Sequence, residues 1–255
     1  MRQRNSYSRI VQDPVQWEEV SKGKKIQLFH HCIEKGISTF LVDLSSSASY
    51  SHDLGTAFSE SGLSRDQVQL IACPGRELRE EEEILTRVEK ILDLLDTDYL
   101  DLLLLDFEAP ADVLLNSTEK LRARGKIVEL GILKKNFGEL RDTSEKFPAS
   151  ATISTFSFTP AAFKSLTLAE PASSETTQMI IPESSTWENE HKELKLLAQK
   201  YELRPKELLF SWLLQHRAQY HTVIKGNTET GIDSAYKAFH TSLIEEDFEN
   251  LPKKL

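Results

Sequence analysis

The sequence predicts an α/β fold, a single (β/α)8 TIM barrel, and three observations point there. Short β-like runs alternate with amphipathic helical stretches from one end to the other, the signature of parallel βα units. Eight such runs can be counted, from Ile10-Val11 to His221–Ile224. No linker divides the chain, and 255 residues suit one barrel. The expected domain spans residues 1–255 and is shortened in its second half, between the sixth strand and Glu190.

The elements follow in order. After a first strand around Ile10-Val11, Lys25 to Lys35 carries Ile26, Phe29, Cys32 and Ile33 at helical spacing, and Gly36 stops it. Thr39–Asp43 reads as the second strand, Leu54–Ser61 as a short helix and Val68–Ala72 as the third strand. Glu80–Leu95 places Ile84, Leu85, Val88, Ile91, Leu92 and Leu95 on one helical face. Glu80 to Glu83 open that helix, where negative charge suits the dipole, and read as a solvated first turn. Leu102–Leu105 is apolar throughout, as a strand covered on both faces must be.

Val113–Arg124 is the next helix, stopped by Gly125, and Lys126–Leu133 the next strand. Ala151–Phe158 and Thr177–Ile181, the latter ended by Pro182, are strands six and seven. Glu190–Tyr201 and Pro205–Gln215 are helices, with Pro205 suited to a first turn. His221–Ile224 is the last strand and Ile232–His240 the last helix. The polar stretches Glu170–Thr177 and Glu183–Asn189 read as loops.

Composition narrows the function classes. A net charge of −9 argues against nucleic acid, which rewards a basic surface. It also mildly opposes phosphorylated ligands unless local lysines offset it. Only two cysteines, Cys32 and Cys73, occur, both in apolar stretches, which fits a reducing cytoplasm better than a disulfide framework. His30-His31 lacks a ligand partner at helical spacing, so no metal site is expected. Met1-Arg-Gln-Arg-Asn-Ser6 carries charge without an apolar run behind it, so no signal peptide is expected. Runs such as Leu102–Leu105 fall far short of the roughly 18 residues a membrane span requires. The partner is expected to be a small molecule or a protein, with no role for nucleic acid or membrane.

Function in such a barrel is decided by the polar residues that close its strands, because these face the mouth where barrels do their chemistry. Asp43, Asp106 and Lys225 end apolar runs in this way.

Several phrases, in the same order and spacing, resemble the aldo-keto reductase superfamily across nearly the whole chain. His31-Cys-Ile-Glu-Lys-Gly36-Ile-Ser-Thr-Phe-Leu-Val-Asp43 is similar to the family's A-x-E-x-G-I-x-x-F-D-T-A. Asp98-Tyr-Leu-Asp-Leu-Leu-Leu-Leu105 is similar to D-Y-L-D-L-x-x-x-H, and Arg124-Gly-Lys-Ile-Val-Glu-Leu-Gly131-Ile resembles G-K-I-R-x-x-G-V-S-N. Val223-Ile-Lys-Gly226 stands where I-P-G precedes the cofactor helix.

The resemblance implies NADPH-dependent carbonyl reduction by an Asp, Tyr, Lys and His set, with the tyrosine as general acid. Asp43 matches the acidic member. Ala48 stands at the tyrosine position, with Tyr50 two residues further on and His52 beside it. The lysine position falls on Cys73 or Pro74, neither of which supplies the cation that makes a phenol more acidic. The histidine position is Asp106, whose charge would oppose negative charge developing on a substrate oxygen. At the cofactor positions, Leu133-Lys134 replaces S-N, a Gln falls on Ser154 or Thr155, and the adenosine-phosphate residues fall around Gly231, Ile232 and Tyr236. Lys225 and Lys134 remain as candidate contacts for NADP(H), should the ancestral site survive; otherwise no cofactor is expected.

Two readings follow. In the first, the chain is a degenerate family member that has lost or greatly reduced carbonyl reduction and acts as a binding or scaffold protein. In the second it is an enzyme, either an NADP-dependent oxidoreductase that recruits Tyr50 and His52, or one that uses Asp43, Asp106 and Glu108 as a carboxylate cluster. That cluster would come from two neighbouring strands and act as an acid/base pair or bind a metal through oxygen. Asp106 could equally pair with Lys134 or Lys225. Lys134, Lys135 and Lys225 could attract an anion. Cys73 reads as a packed thiol, and Trp187, Tyr220 and the Phe156/Phe158 pair as core or rim.

Overall fold

A computed structural model describes residues 6–43, 48–75, 78–106, 110–134, 149–158, 176–183, 191–216 and 219–254; the side chains at 48–51, 106, 134 and 254 are not among them. The strands are β1 (Ile10–Gln12), β2 (Thr39–Asp43), β3 (Gln69–Cys73), β4 (Leu100–Asp106), β5 (Ile127–Lys134), β6 (Ala151–Ser157), β7 (Thr177–Glu183) and β8 (His221–Ile224). They form a closed barrel in chain order, and every neighbouring pair is parallel. The closing pair joins β8 to β1, Val11 lying beside Val223. The described helices are α1 (Lys22–Glu34), α2 (Ala48–Glu60), α3 (Glu81–Leu94), α4 (Ala111–Ala123), α5 (Lys192–Lys200), α6 (Pro205–Gln215), α7 (Glu229–His240) and α8 (Glu245–Lys254).

Strand residues alternate between the barrel interior and the layer under the helices, the period-2 consequence of the pleat. Val11, Leu41, Ile71, Leu102, Leu104, Ile153, Met179 and Val223 fill the interior as one buried cluster. Gly131 makes room there: a Cβ on it would lie 2.8 Å from Leu104 Cδ2 and 3.0 Å from the Ala151 carbonyl oxygen. On the other face, Trp17, Phe29, Phe40 and Phe58 pack edge-on and tilted between β2 and the first two helices, with centroids 5.0–6.4 Å apart. At the bottom, the Tyr7 hydroxyl donates to Glu129 Oε2 at 2.9 Å, satisfying a buried carboxylate.

The expected strands are all present. α3 begins as predicted at the glutamates, with Glu83 accepting from the backbone N–H of Glu80 (3.2 Å) and of Arg79 (3.1 Å). Two helical expectations need correction. The helix after β2 starts at Ala48 rather than Leu54, so Tyr50 stands in a first turn and not in a loop. A final helix, α8, follows Ile232–His240, which is therefore not the last. Its apolar pattern is short, essentially Phe248 and Leu251 before Pro252. It is anchored instead from outside, where Trp212 Nε1 donates to the Phe248 carbonyl (2.9 Å) and the two rings stack. The supposed shortening after β6 lies largely outside the described residues.

Candidate functional site

The C-terminal ends of the strands form one rim. Asp43 ends β2 two residues after the interior Leu41, so the pleat turns it toward the mouth. Cys73 stands directly beside it in the β2–β3 register and is 6% exposed. Asp106 closes β4 beside Leu133, and Lys134 closes β5 beside Ser154. The carboxylate cluster expected from neighbouring strands is corrected by this order: β3 lies between β2 and β4, so Asp43 and Asp106 are not delivered by adjacent strands. The side chain of Asp106, like those of Ala48, Tyr50 and Lys134, lies outside the described residues. So do Glu108, Lys135 and Trp187. His52 is exposed on α2. Tyr220, Phe156 and Phe158 are core, as expected.

The residue that sequence reasoning missed is Asp13, immediately after β1. Its backbone N–H donates to the Ile224 carbonyl of β8 (2.7 Å). Its carboxylate caps the short 3-10 helix Pro14–Trp17, accepting from the Val15 N–H at 2.9 Å. Asp13 is 5% exposed, and Lys225 Nζ lies 3.7 Å from its Oδ2. Burial pushes its pKa up to about 6, with the charge of Asp43 adding to the rise; the Val15 N–H and Lys225 oppose it. The rule that singled out Asp43, a polar residue closing an apolar strand, would have found Asp13 had the first strand been followed to its end.

Lys225 thus pairs with Asp13 from the neighbouring strand end; the pairing with Asp106 considered from sequence falls on a side chain outside the described residues. The same turn is tied down by Gly226, whose carbonyl accepts from Gln12 Nε2 (3.0 Å) and from Trp17 Nε1 (2.7 Å).

Lys225 also borders a cleft of about 400 Å³ outside β8, lined with it by Arg204, Lys206, Glu207, Asn227 and Ser234, and by Gly231 near the start of α7. Arg204 Nη2 donates to Ser234 Oγ at 2.8 Å, and its Nε to Glu207 Oε1 at 2.7 Å. Burial would raise the Glu207 carboxyl, but the Arg204 backbone N–H and guanidinium outweigh it and hold it below its ordinary range. Thr228 caps α7, accepting from the Gly231 N–H at 3.1 Å. Among the described lining residues, three cations stand against one carboxylate in a chain of net charge −9, a setting that favours an anion. Of the two candidate cofactor contacts, Lys225 borders it, and the Lys134 side chain lies outside the described residues. Arg204 and Lys206 were missed, although two basic residues around Pro205 mark a helix start that could have drawn notice.

Among the described residues, no group of three or more His, Cys, Asp or Glu side chains is arranged to hold a metal ion. No described helix is long and apolar enough to cross a membrane.

No protein-family model and no curated protein matches the sequence. Solved structures do. A thermostable aldo-keto reductase determined with the inhibitor epalrestat is 16% identical, with a TM-score of 0.80 over 97% of this chain and 95% of that one. The aldo/keto reductase of Brucella melitensis is 16% identical, with a TM-score of 0.75 over 98% and 95%. Aldose reductase from Giardia lamblia is 15% identical, with a TM-score of 0.72 over 97% and 92%. The fold is that of the aldo-keto reductases. At this identity the likeness concerns the backbone, and the site must be read from the residues themselves.

Proposed function

We propose that the chain is a divergent aldo-keto reductase family member that binds a phosphate-bearing small molecule of the nucleotide class and does not reduce carbonyls. The observation that carries this reading is the contrast between cleft and mouth. The cleft outside β8 keeps Lys225, Arg204 and Lys206, with the hydroxyl of Ser234, on one locally positive surface. At the mouth, the β3 neighbour of Asp43 is buried Cys73, at the position where the resemblance places a lysine, and Ala48 stands at the tyrosine position.

The cleft residues fit the phosphate-bearing end of NADP(H), which Lys225, Arg204 and Lys206 would hold. That cofactor, when bound, supplies a hydride. The proton that must accompany it needs an acid matched to neutral pH, and a carboxylate beside a thiol does not lower a phenol's pKa.

Calorimetric titration with NADPH, alongside NADPH oxidation in the presence of simple aldehydes and ketones, tests the reading. Saturable binding that weakens in Arg204→Ala and Lys206→Ala is expected, without oxidation above background. Steady oxidation, or no binding heat up to millimolar NADPH, would overturn it.

The second reading, an active reductase using Tyr50, is favoured by one observation: α2 begins at Ala48, which places Tyr50 in the turn just past the β2 rim. It requires turnover in the wild type that disappears in Tyr50→Phe.

A further inference from the structure

We propose that Asp13 is an internal competitor for Lys225, so that its carboxylate and an anionic ligand in the β8 cleft exclude one another from the same ammonium. The inference rests on reading that cleft as an anion site and adds its regulation.

The two partners differ in freedom. Asp13 is fixed, its N–H held by Ile224 and its carboxylate by the Val15 N–H, and it is almost fully buried. Lys225 has a flexible four-carbon stem and a side chain 47% exposed on the cleft side. Their 3.7 Å separation is long for a direct hydrogen bond, so the lysine is attracted rather than locked. A ligand anion in the cleft would draw the ammonium away and leave the buried Asp13 charge without its counter-ion. That opposes binding while Asp13 is ionised.

Charge decides when the competition operates. The groups acting on Asp13 are Lys225 from the end of β8, Asp43 from the end of β2 and the Val15 N–H. Across the cleft, Lys225 faces Arg204, Lys206 and Glu207. Glu207 is held below its ordinary range by Arg204 and so stays ionised from pH 5 to 8. Asp13 changes state within that window, near pH 6. Below it, the neutral acid releases Lys225 and the cleft gains one positive charge; above it, the carboxylate competes again. Anion affinity therefore falls as pH rises through about 6.

Sulfate is the suitable probe, because its own charge is constant over this range. Titration calorimetry at pH 5 and pH 8, at fixed ionic strength, should show wild type binding sulfate about fivefold more tightly at pH 5, the scale of one partly exposed charge pair. Asp13→Asn, which keeps an acceptor for Val15, should bind at pH 8 as tightly as wild type does at pH 5. Lys225→Met should bind weakly with no pH dependence. The ¹⁵N resonance of the Lys225 ammonium should titrate with a midpoint near 6 in wild type and not in Asp13→Asn. A pH-independent wild-type affinity, or a pH dependence that survives in Asp13→Asn, overturns the competition while leaving the cleft as an anion site. No sulfate binding in any variant at either pH removes the anion site itself, and the competition with it, even if the ammonium resonance titrates.

Discussion

Asp13 shows how a single buried carboxyl couples folding to pH. Its folded-state value, about 6, lies above the ordinary 3.8, so burial favours the neutral acid. Its contribution to stability is full below about pH 4 and is lost as pH rises through about 6, a loss of roughly 3 kcal/mol by pH 8. Asp13→Asn should therefore raise the unfolding free energy at pH 8 by that order and change it little at pH 4, as read by urea denaturation. His221 acts in the opposite sense: burial lowers its pKa and favours the neutral ring, so it contributes stability that is lost as pH falls below the ordinary histidine range. At this scale the sequence was partly legible. Asp43, Cys73 and Lys225 were found because each closes or follows a recognisable apolar run. Asp13 escaped because β1 has only three residues, too few for a pattern to point to its end. Arg204 and Lys206 escaped because they meet Lys225 only through the folded contact of α6 with β8 and α7.

Gly55 in α2 lies against the backbone at the end of α3. A Cβ there would lie 2.4 Å from the Leu94 carbonyl oxygen and 2.7 Å from Leu95 Cα, both backbone atoms at the end of α3. Neither can swing aside as a side chain would. Gly55→Ala should therefore destabilise the protein by about 1–3 kcal/mol, and more if the helices cannot separate, measured by chemical denaturation. Long amphipathic elements such as α3 were legible because several turns repeat the same face. α2 and α8 were legible only in part: the first turns of α2 are mostly polar, and α8 has two apolar anchors in ten residues. In both, contact with neighbouring elements completes what local pattern leaves open.

Across the whole barrel, closure depends on β1, a three-residue strand that must pair with β2 on one side and β8 on the other. Longer strands such as β4 and β5 share an extended register. In native-state hydrogen exchange, amides of β4 and β5 should be the last to exchange and those of β1 among the first of the strand amides; equal protection throughout would show that the seam is as strong as the wall. The barrel itself was legible because every strand kept its apolar run. The mouth was less so, because its chemistry depends on which strand ends stand side by side, and that order is fixed only when the sheet closes.

Trp17 draws a practical consequence from this seam. Its indole is fully buried, and its N–H is held by the Gly226 carbonyl, one residue beyond Lys225. A guest molecule that pulls residues 225–227 outward loosens that bond and admits solvent to the ring, shifting its emission to longer wavelength. Trp212, bonded to Phe248, and Trp187 also emit, so the shift is read as the difference between wild type and Trp17→Phe. The protein thus carries its own optical gauge of whether the space beside its last strand is filled.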